Sequence, residues 1–310
     1  QMSYLNTKPT DGTNDSRGEA RLEWLRGSTS NEGTGATDFR QRTNGFKLGD
    51  IVDSTPIFVG SPPYLGDYET TVHTTFRSVY SGRTEMIYVG ANDGMLHGFN
   101  ASTGQEKIAY VPSTVYENLS RLTAANYSTN HRYYVNGSPT VGDVFTPFSY
   151  NCASSACWRS VLVSGLGTGG KGVFALDVTD PNGDRPATAN GLPSTSALAF
   201  NENNADNIVL WEFTDSSTPD DMGYILGQPT IAKLHNNDWG VIFGNGYNST
   251  NEKAVLYILN VKDGSIIKKI DLSNGTTGQG NGLSAPAVVD TNGDFIADYV
   301  YAGDLKGNLW

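Results

Sequence analysis

The sequence predicts an all-β fold assembled from repeated four-stranded antiparallel units. The first observation is composition: the 310-residue chain contains 36 Gly and 16 Tyr, and only 17% of its residues are charged. That profile is typical of strands and tight turns, not of helices. The second observation is a strand pattern, led each time by proline, that recurs four times along the chain. A chain of this length can bury a sizeable core in one or two domains.

Each repeat begins with a short strand introduced by a small or polar residue and proline. These introducing strands are STPIFVG from Ser54, GSPTVGDV from Gly137, GQPTIAKL from Gly227 and SAPAVVD from Ser284. The second strand of each repeat begins at Met86, Ser160, Trp239 or Tyr299 and ends in glycine. A third strand follows it after a tight turn. A fourth strand follows in three repeats, in EKIAYVP from Glu106, IVLWEF from Ile208 and SIIKKI from Ser265. Four strands per repeated unit are typical of a propeller blade, so the sequence predicts a β-propeller.

The spacing of the leading prolines exceeds the ~40–50 residues of a bare blade, which predicts long insertions between strands. We expect two insertions in the first unit, at 60–85 and 112–136, and one in the second unit, at 179–207. The fourth unit stops at Trp310, within its third strand. A propeller that ends there has open sheet edges unless more chain follows, so we expect a C-terminally incomplete propeller domain over residues 51–310.

Residues 1–50 differ from the rest in being polar and rich in Gly, Ser, Thr and Asn. We expect a lead-in segment with one short helix, in GEARLEWLRG from Gly18 to Gly27. Leucine and tryptophan give this stretch a partly apolar face, but a helix of this length needs packing to persist.

The charge balance excludes several classes of partner. A net charge of −11 argues against binding to nucleic acid and against docking onto anionic lipid, both of which require a basic face. No run of about 18 apolar residues occurs, so no transmembrane segment is predicted. The chain opens QMSYLNTKPTDGTND without an apolar stretch, so any signal peptide of an exported protein is expected to lie outside it.

The two cysteines, Cys152 and Cys157, are separated by ASSA. A loop of this length can close into a disulfide at a hairpin tip, worth about 2 kcal/mol by the loop-entropy estimate. A zinc site would need further Cys or His nearby, and the four histidines lie far away in sequence. We expect a disulfide, which indicates an oxidising compartment; two free thiols are the alternative.

The stretch DTNGDFIAD has the spacing of a calcium-binding loop. Asp290, Asn292, Asp294 and Asp298 place side-chain oxygens at positions 1, 3, 5 and 9, and the carbonyl of Ile296 is available at position 7. The loop departs from an EF-hand by having Phe at position 6 and Tyr at position 12, where the hand has Gly and Glu. Its flanks are strand-like, so we expect it to join two strands with Asp298 as the bidentate ligand. The alternative is a polar turn without metal.

Two glycine-rich motifs invite a catalytic interpretation. GLGTGGKG contains Gly165-x-Gly167-x-x-Gly170 followed by Lys171, but it precedes a strand and opens no helix, so we expect it only to reverse the chain. ANDGMLHGFNASTGQE, from Ala91, resembles the repeat of pyrroloquinoline-quinone dehydrogenases, which makes an exported quinoprotein dehydrogenase the alternative function. Those enzymes have adjacent cysteines over the cofactor, whereas four residues separate the cysteines here. With no nucleophile elbow present, we predict that no residue is catalytic and that the protein is not an enzyme.

Seven longer motifs occur in order along the chain. They are LRG from Leu25, FRQR from Phe39, LGDIVDSTP from Leu48, YVGANDGMLHGFNASTGQE from Tyr88, HRYYVNGSPTVGD from His131, GLGTGGKGVFALDVTDP from Gly165 and VVDTNGDFIADYVYAGDLKGNLW from Val288. Together they resemble the C-terminal domain of PilY/PilC proteins, which are tip-associated adhesins and biogenesis factors of bacterial type IV pili. The resemblance extends over most of the chain and is far more specific than a single glycine pattern.

The resemblance implies a modified seven-bladed β-propeller, of which about four blades are present here. It also implies Ca²⁺ in an EF-hand-like loop at the five positions named above, and a role in pilus extension and retraction, twitching motility and surface attachment. The implied location is the pilus tip or cell surface, reached through the periplasm and outer membrane of a Gram-negative bacterium. Minor pilins at the pilus tip and a receptor on a host cell or other surface are the implied partners. The sequence lacks the integrin-binding RGD tripeptide of some members, so the adhesive ligand stays open, and a generic calcium-dependent adhesin is a further alternative.

Overall fold

The computed structural model describes residues 2–65, 70–148, 152, 156–185, 198–218, 220–273, 277–278 and 280–310. The lead-in contains α1 (Met2–Leu5), α2 (Gly18–Leu25), β1 (Glu32–Gly33) and β2 (Phe39–Arg40). The lead-in contains a buried arginine: Arg21 is 2% exposed, and its guanidinium pairs with Asp15 at 2.6 Å. The Nε of Arg21 also donates to Thr123 Oγ1 at 3.3 Å. The lead-in is therefore tied to the insertion that follows the first blade.

Three four-stranded antiparallel sheets and one strand pair follow the lead-in. The first sheet contains β3 (Ile57–Val59), β4 (Met86–Gly90), β5 (Leu96–Asn100) and β6 (Glu106–Tyr110). The second contains β7 (Thr140–Thr146), β8 (Cys157–Gly165), β9 (Val173–Asp177) and β10 (Val209–Phe213). The third contains β11 (Thr230–Lys233), β12 (Trp239–Gly244), β13 (Val255–Asn260) and β14 (Ile266–Asp271). The pair is β15 (Ala287–Val289) and β16 (Tyr299–Tyr301).

Within each four-stranded sheet the strands pair in chain order, and the leading strands of successive sheets approach one another, β3 beside β7 and β7 beside β11. Sheets whose first strands gather side by side are arranged as blades around a common axis. The predicted all-β propeller of four-stranded antiparallel blades is confirmed, with about four blades in this chain.

The core lies between neighbouring blades. All nine residues of β8 are buried, because its sheet is covered on both faces. Val161 and Val163 belong to the apolar cluster shared with the third sheet, whereas Leu162 belongs to the cluster shared with the first. This alternation follows from the two-residue period of a strand, which directs successive side chains to opposite faces.

The insertions supply the α-helices found in the described part of the propeller. They are α3 (Thr71–Tyr80), α4 (Tyr116–Leu119) and α5 (Ala205–Ile208). The sequence predicted the insertion at 60–85 but not α3, whose His73, Phe76 and Tyr80 are buried on one face. The His73 ring packs edge-on against Trp158 of the second blade, with ring centroids 4.4 Å apart. No helix among the described residues is long and apolar enough to cross a bilayer.

A fully buried ion pair crosses the second blade. Arg159 on β8 and Asp177 on β9 both have 0% exposed side chains, and Arg159 Nη1 donates to Asp177 Oδ2 at 2.6 Å. The other oxygen of Asp177 accepts from the backbone N–H of Thr179 at 2.9 Å. Both carboxylate oxygens are thus satisfied, as a buried charge requires.

The expected disulfide is present between Cys152 and Cys157, with an S–S distance of 2.03 Å. Cys157 is buried at the start of β8, and β8 pairs with β7 in an antiparallel hairpin. The bond therefore closes the tip of that hairpin, where residues 149–151 and 153–155 fall outside the described part of the chain.

Candidate functional site

The predicted calcium-binding loop joins β15 to β16. These strands are antiparallel, with Val289 paired to Tyr299, so Asp290 leaves one strand and Asp298 enters the other. This confirms the expectation that the loop connects two strands and is not flanked by helices. The pairing brings the two ends of the loop together, as a wrap around a small ion requires.

Asp290, at position 1, organises the first half of the loop. Its Oδ1 accepts from the backbone N–H of Gly293 at 2.7 Å, and its Oδ2 accepts from the backbone N–H of Phe295 at 2.7 Å. Phe295 has φ of +63°, in the left-handed region that side chains rarely adopt. This residue occupies position 6, where an EF-hand has its turn glycine. The sharp turn is thus retained although glycine is absent.

Alternate side chains in the centre of the loop accept backbone hydrogen bonds in the same way. The Oδ1 of Asn292 accepts from the N–H of Asp294 at 3.0 Å, and the Oδ1 of Asp294 accepts from the N–H of Ile296 at 2.9 Å. The Nδ2 of Asn292 donates to the second oxygen of Asp294 at 3.1 Å. Positions 1, 3 and 5 therefore turn their oxygens toward the loop and not away from it.

Asp298, at position 9, connects the loop to itself and to the third blade. Its Oδ2 accepts from the backbone N–H of Thr291 at 2.9 Å and from the hydroxyl of the same residue. Its Oδ1 lies 3.0 Å from the Nε2 of His235, which follows β11. The backbone N–H of Ala297 donates to the carbonyl of Lys233 at 2.8 Å. The loop thus lies where the third and fourth blades meet.

The surroundings favour the ionised form of two loop carboxyls. Desolvation alone would raise the pKa of Asp290, but the backbone N–H groups of Phe295 and Gly293 outweigh it and lower that pKa. The hydroxyl and N–H of Thr291 lower the pKa of Asp298, and His235 adds to the effect. Carboxylates must be deprotonated to bind a metal, as these groups ordinarily are at neutral pH, and the lowered pKa values keep both deprotonated further into the acidic range.

The donor set fits a hard cation. Three carboxylates, one amide oxygen and one backbone carbonyl offer oxygen alone, the ligand type that Ca²⁺ prefers and that softer metals do not select. Across the described residues, no three His, Cys, Asp or Glu side chains are arranged as a metal-binding group. The loop carboxylates accept hydrogen bonds within the loop and, at Asp298, also from His235. The ligand set Asp290, Asn292, Asp294, Ile296 and Asp298 therefore stays a prediction.

Sequence reasoning missed the contribution of His235. This histidine lies 63 residues before Asp298, and its neighbours carry no pattern that assigns it a partner. Only the packing of the loop on the end of β11 brings the two side chains together.

The glycine-rich motif from Gly165 forms a tight turn between β8 and β9, as its position before a strand predicted. A Cβ on Gly169 would lie 1.6 Å from the carbonyl oxygen of Tyr134, closer than any real contact. The glycine is required because another backbone segment passes against the turn. The structure accordingly explains the motif by packing.

A second cluster of titratable groups lies on the first blade. His97 is 4% exposed, with its Nδ1 2.5 Å from Glu106 Oε1 and its Nε2 3.1 Å from Asp93. Burial alone would lower the pKa of His97, but the hydrogen bonds and charges of both acids raise it. Each ring nitrogen of His97 is hydrogen-bonded to a carboxylate, which stabilises the protonated ring in a structural role.

Comparison with known proteins identifies relatives of this propeller. The family model described as the PilY1 beta-propeller domain matches residues 48–310. The type IV pilus biogenesis factor PilY1 of Pseudomonas aeruginosa strain UCBPP-PA14 is 40% identical over 320 residues, which cover 99% of this chain and 24% of the relative. A type IV pilus biogenesis factor PilY1 homolog of Xylella fastidiosa strain Temecula1 is 40% identical, over 97% of this chain and 19% of the relative.

A solved structure agrees with these relatives. The crystal structure of the Pseudomonas aeruginosa PilY1 C-terminal domain superposes with a TM-score of 0.60 at 39% sequence identity, over 82% of this chain and 44% of that chain. The chain spans about a quarter or less of the length of the curated relatives named above. Family model, relatives and solved structure agree, and the chain belongs to the PilY1 β-propeller domain family.

Proposed function

We propose that this domain belongs to a non-enzymatic, calcium-binding biogenesis factor and tip-associated adhesin of type IV pili. The observation that carries the proposal is an oxygen-only loop at 290–298, with two carboxyls of lowered pKa, in a propeller of this family. The relatives are named as biogenesis factors and not by any reaction, which supports a role without catalysis.

The proposed ligands divide into side chains and backbone. Asp290, Asn292, Asp294 and Asp298 would supply side-chain oxygens. Ile296 would supply its carbonyl, which accepts no hydrogen bond from any described residue. When bound, Ca²⁺ would supply the positive charge that offsets repulsion among the three carboxylates. All the loop side chains are reachable from solvent, so an ion can enter without opening the fold.

The position of the loop suggests what calcium would control. The loop contacts the third blade through the Ala297–Lys233 hydrogen bond and the Asp298–His235 pair, and its ends enter the paired strands of the fourth blade. A loop ordered by bound metal holds these contacts together, whereas repulsion among unscreened carboxylates loosens them. We infer that calcium controls how firmly the fourth blade is held on the third.

The cellular setting of the proposal follows from the family and from the disulfide. An exported protein that reaches the pilus tip through the periplasm and outer membrane passes through oxidising compartments, where disulfides persist. The proposed partners are minor pilins at the tip and a receptor on a host cell or other surface. The proposed outputs are pilus extension against retraction, twitching motility and attachment.

The test replaces a loop ligand in the full-length protein. Asp294→Ala is expected to reduce surface pili and twitching while leaving the propeller folded, because the loop is exposed and contributes little to the core. Asp263→Ala is the matched control: this exposed aspartate also accepts a backbone hydrogen bond in a turn, from Ser265 at 3.0 Å, but on a different blade. Co-purification with minor pilins is measured for both variants.

Unchanged piliation and twitching in Asp294→Ala would contradict a regulatory role for the loop. An equal loss in Asp263→Ala would show that any exposed carboxylate of the propeller has the same effect, and it would also contradict the proposal. Failure of the wild-type protein to co-purify with minor pilins would contradict the proposed partners.

A further inference from the structure

A polar cavity lies between the lead-in and the insertion at 112–136, in a different part of the fold from the calcium loop. Its volume is about 600 Å³, within the ~300–1,000 Å³ of typical small-molecule sites. Thr10 contributes from the lead-in, and Arg121, Asn126, Asn130 and Arg132 contribute from the insertion. Polar groups dominate this lining, so the cavity does not suit an apolar ligand.

Two arginines in this cavity have no partner within the described part of the chain. No carboxylate and no hydrogen-bond acceptor among those residues contacts the guanidinium of Arg121 or of Arg132. The protein has 32 acidic and 21 basic residues, so acceptors for arginine are plentiful elsewhere. Two unpaired guanidinium groups that line one cavity form an anion-binding arrangement, because the planar fork of arginine matches carboxylate and sulfate oxygens.

The acids near the cavity already have partners. Asp50 accepts from His131, whose Nε2 lies 2.9 Å from Asp50 Oδ2. Asp11 follows the lining residue Thr10 in sequence and pairs with Lys8 at 3.0 Å. These carboxylates are therefore engaged without contacting the two arginines, and the positive charge of the arginines stays available to a ligand.

Neutral polar side chains beside the arginines can hydrogen-bond to the hydroxyl groups of a ligand. The side-chain amide of Asn126 makes no hydrogen bond to a described residue, while Asn130 donates through Nδ2 to the Asn126 carbonyl at 3.1 Å and keeps its own Oδ1 free. The hydroxyl of Tyr127 donates to the carbonyl of Arg132 at 3.4 Å, which fixes the arginine-bearing segment. The two arginines can pair with the acidic group of a charged sugar. The surrounding amides, hydroxyl and aromatic ring can contact the rest of its ring.

We propose that this cavity binds an acidic saccharide. Its carboxylate or sulfate group pairs with Arg121 and Arg132, and its hydroxyls hydrogen-bond to Asn126 and Asn130. This binding goes beyond the function proposed above, because it requires neither the calcium loop nor a pilus.

The test is calorimetric titration of the full-length protein with three probes: a glucuronic-acid-containing disaccharide, a neutral disaccharide of the same linkage, and inorganic sulfate. The acidic disaccharide is expected to bind at least about tenfold more tightly than either other probe, since charge-assisted hydrogen bonds add to those of the hydroxyls. Arg121→Gln and Arg132→Gln should each weaken its binding by about tenfold or more. Asn126→Asp, which adds a negative charge without changing size, should weaken it as well.

The matched control is Lys268→Gln, which removes one positive charge from an exposed position on β14. Its affinity should equal that of wild type. The proposal is overturned if the acidic disaccharide does not bind, or if the neutral disaccharide or sulfate binds as tightly as the acidic disaccharide. It is also overturned if Lys268→Gln loses as much affinity as the arginine variants. All the substituted side chains are exposed, so the variants are expected to fold as wild type.

Discussion

Asp177→Ala is expected to destabilise the propeller more than any surface charge substitution. The variant leaves the guanidinium of Arg159 buried at 0% exposure without its carboxylate, and it leaves the N–H of Thr179 without an acceptor. Removing one member of a buried ion pair costs about 3–5 kcal/mol, because the remaining charge has lost both water and its partner. That is a large part of the ~5–15 kcal/mol by which domains are stable.

The free energy of unfolding is measured by urea denaturation of each variant. Asp263→Ala serves as the control, since Lys262 and Asp263 form a solvent-accessible pair at 3.9 Å, and surface pairs contribute at most ~1 kcal/mol. The double variant Arg159→Met with Asp177→Leu should recover most of the loss, because apolar residues of similar volume remove the unpaired charge. If Asp177→Ala costs no more than Asp263→Ala, or if the double variant is the least stable, the buried pair does not act as described.

Three further predictions concern other parts of the fold. The folded-state pKa of His97 is raised, so its charge contributes stability that is full below about pH 6.5 and is lost as pH rises through the raised value. In His97→Gln, the free energy of unfolding in urea should therefore decline less over this pH range than in wild type. A pH profile parallel to that of wild type would refute this. Gly169→Ala should lower stability by about 1–3 kcal/mol or more, because its Cβ would overlap the carbonyl of Tyr134, and wild-type thermal unfolding would refute this. Alkylation of the denatured, unreduced protein should label neither Cys152 nor Cys157, since both are bonded, and mass spectrometry that finds two labels would contradict the bond.

Proline explains why the blades could be predicted from sequence. Three leading strands begin at the residue directly after a proline: β7 after Pro139, β11 after Pro229 and β15 after Pro286. Proline lacks an N–H and has a fixed φ, so it is tolerated at the first position of a strand and not inside one. The signal is local, and it places the leading strand of each of these units. The loop between β15 and β16 could be placed for the same reason, since all the ligands proposed in it lie within nine residues of one another.

Features that depend on packing were not predictable in this way. The sequence of α3, TVHTTFRSVY, is rich in β-branched residues and has low helix propensity, but burial of Phe76 and Tyr80 against the second blade decides its conformation. The contact between His235 and Asp298 joins two blades, and the pair Arg159–Asp177 joins two strands. Neither has a local signature, because each is fixed by how distant segments pack.

The most direct test of the calcium proposal is calorimetric titration of the protein with Ca²⁺ after chelation. Wild type is expected to bind one ion at this loop with a dissociation constant in the sensor range of about 10⁻⁷–10⁻⁵ M. At 100 times that concentration, free Ca²⁺ should stabilise the folded loop by about 2.7 kcal/mol. Asp294→Ala should abolish binding, and Asp263→Ala should preserve it. If wild type binds no calcium, or if Asp294→Ala binds as tightly as wild type, the stretch from Asp290 to Asp298 is a polar turn and not a metal site.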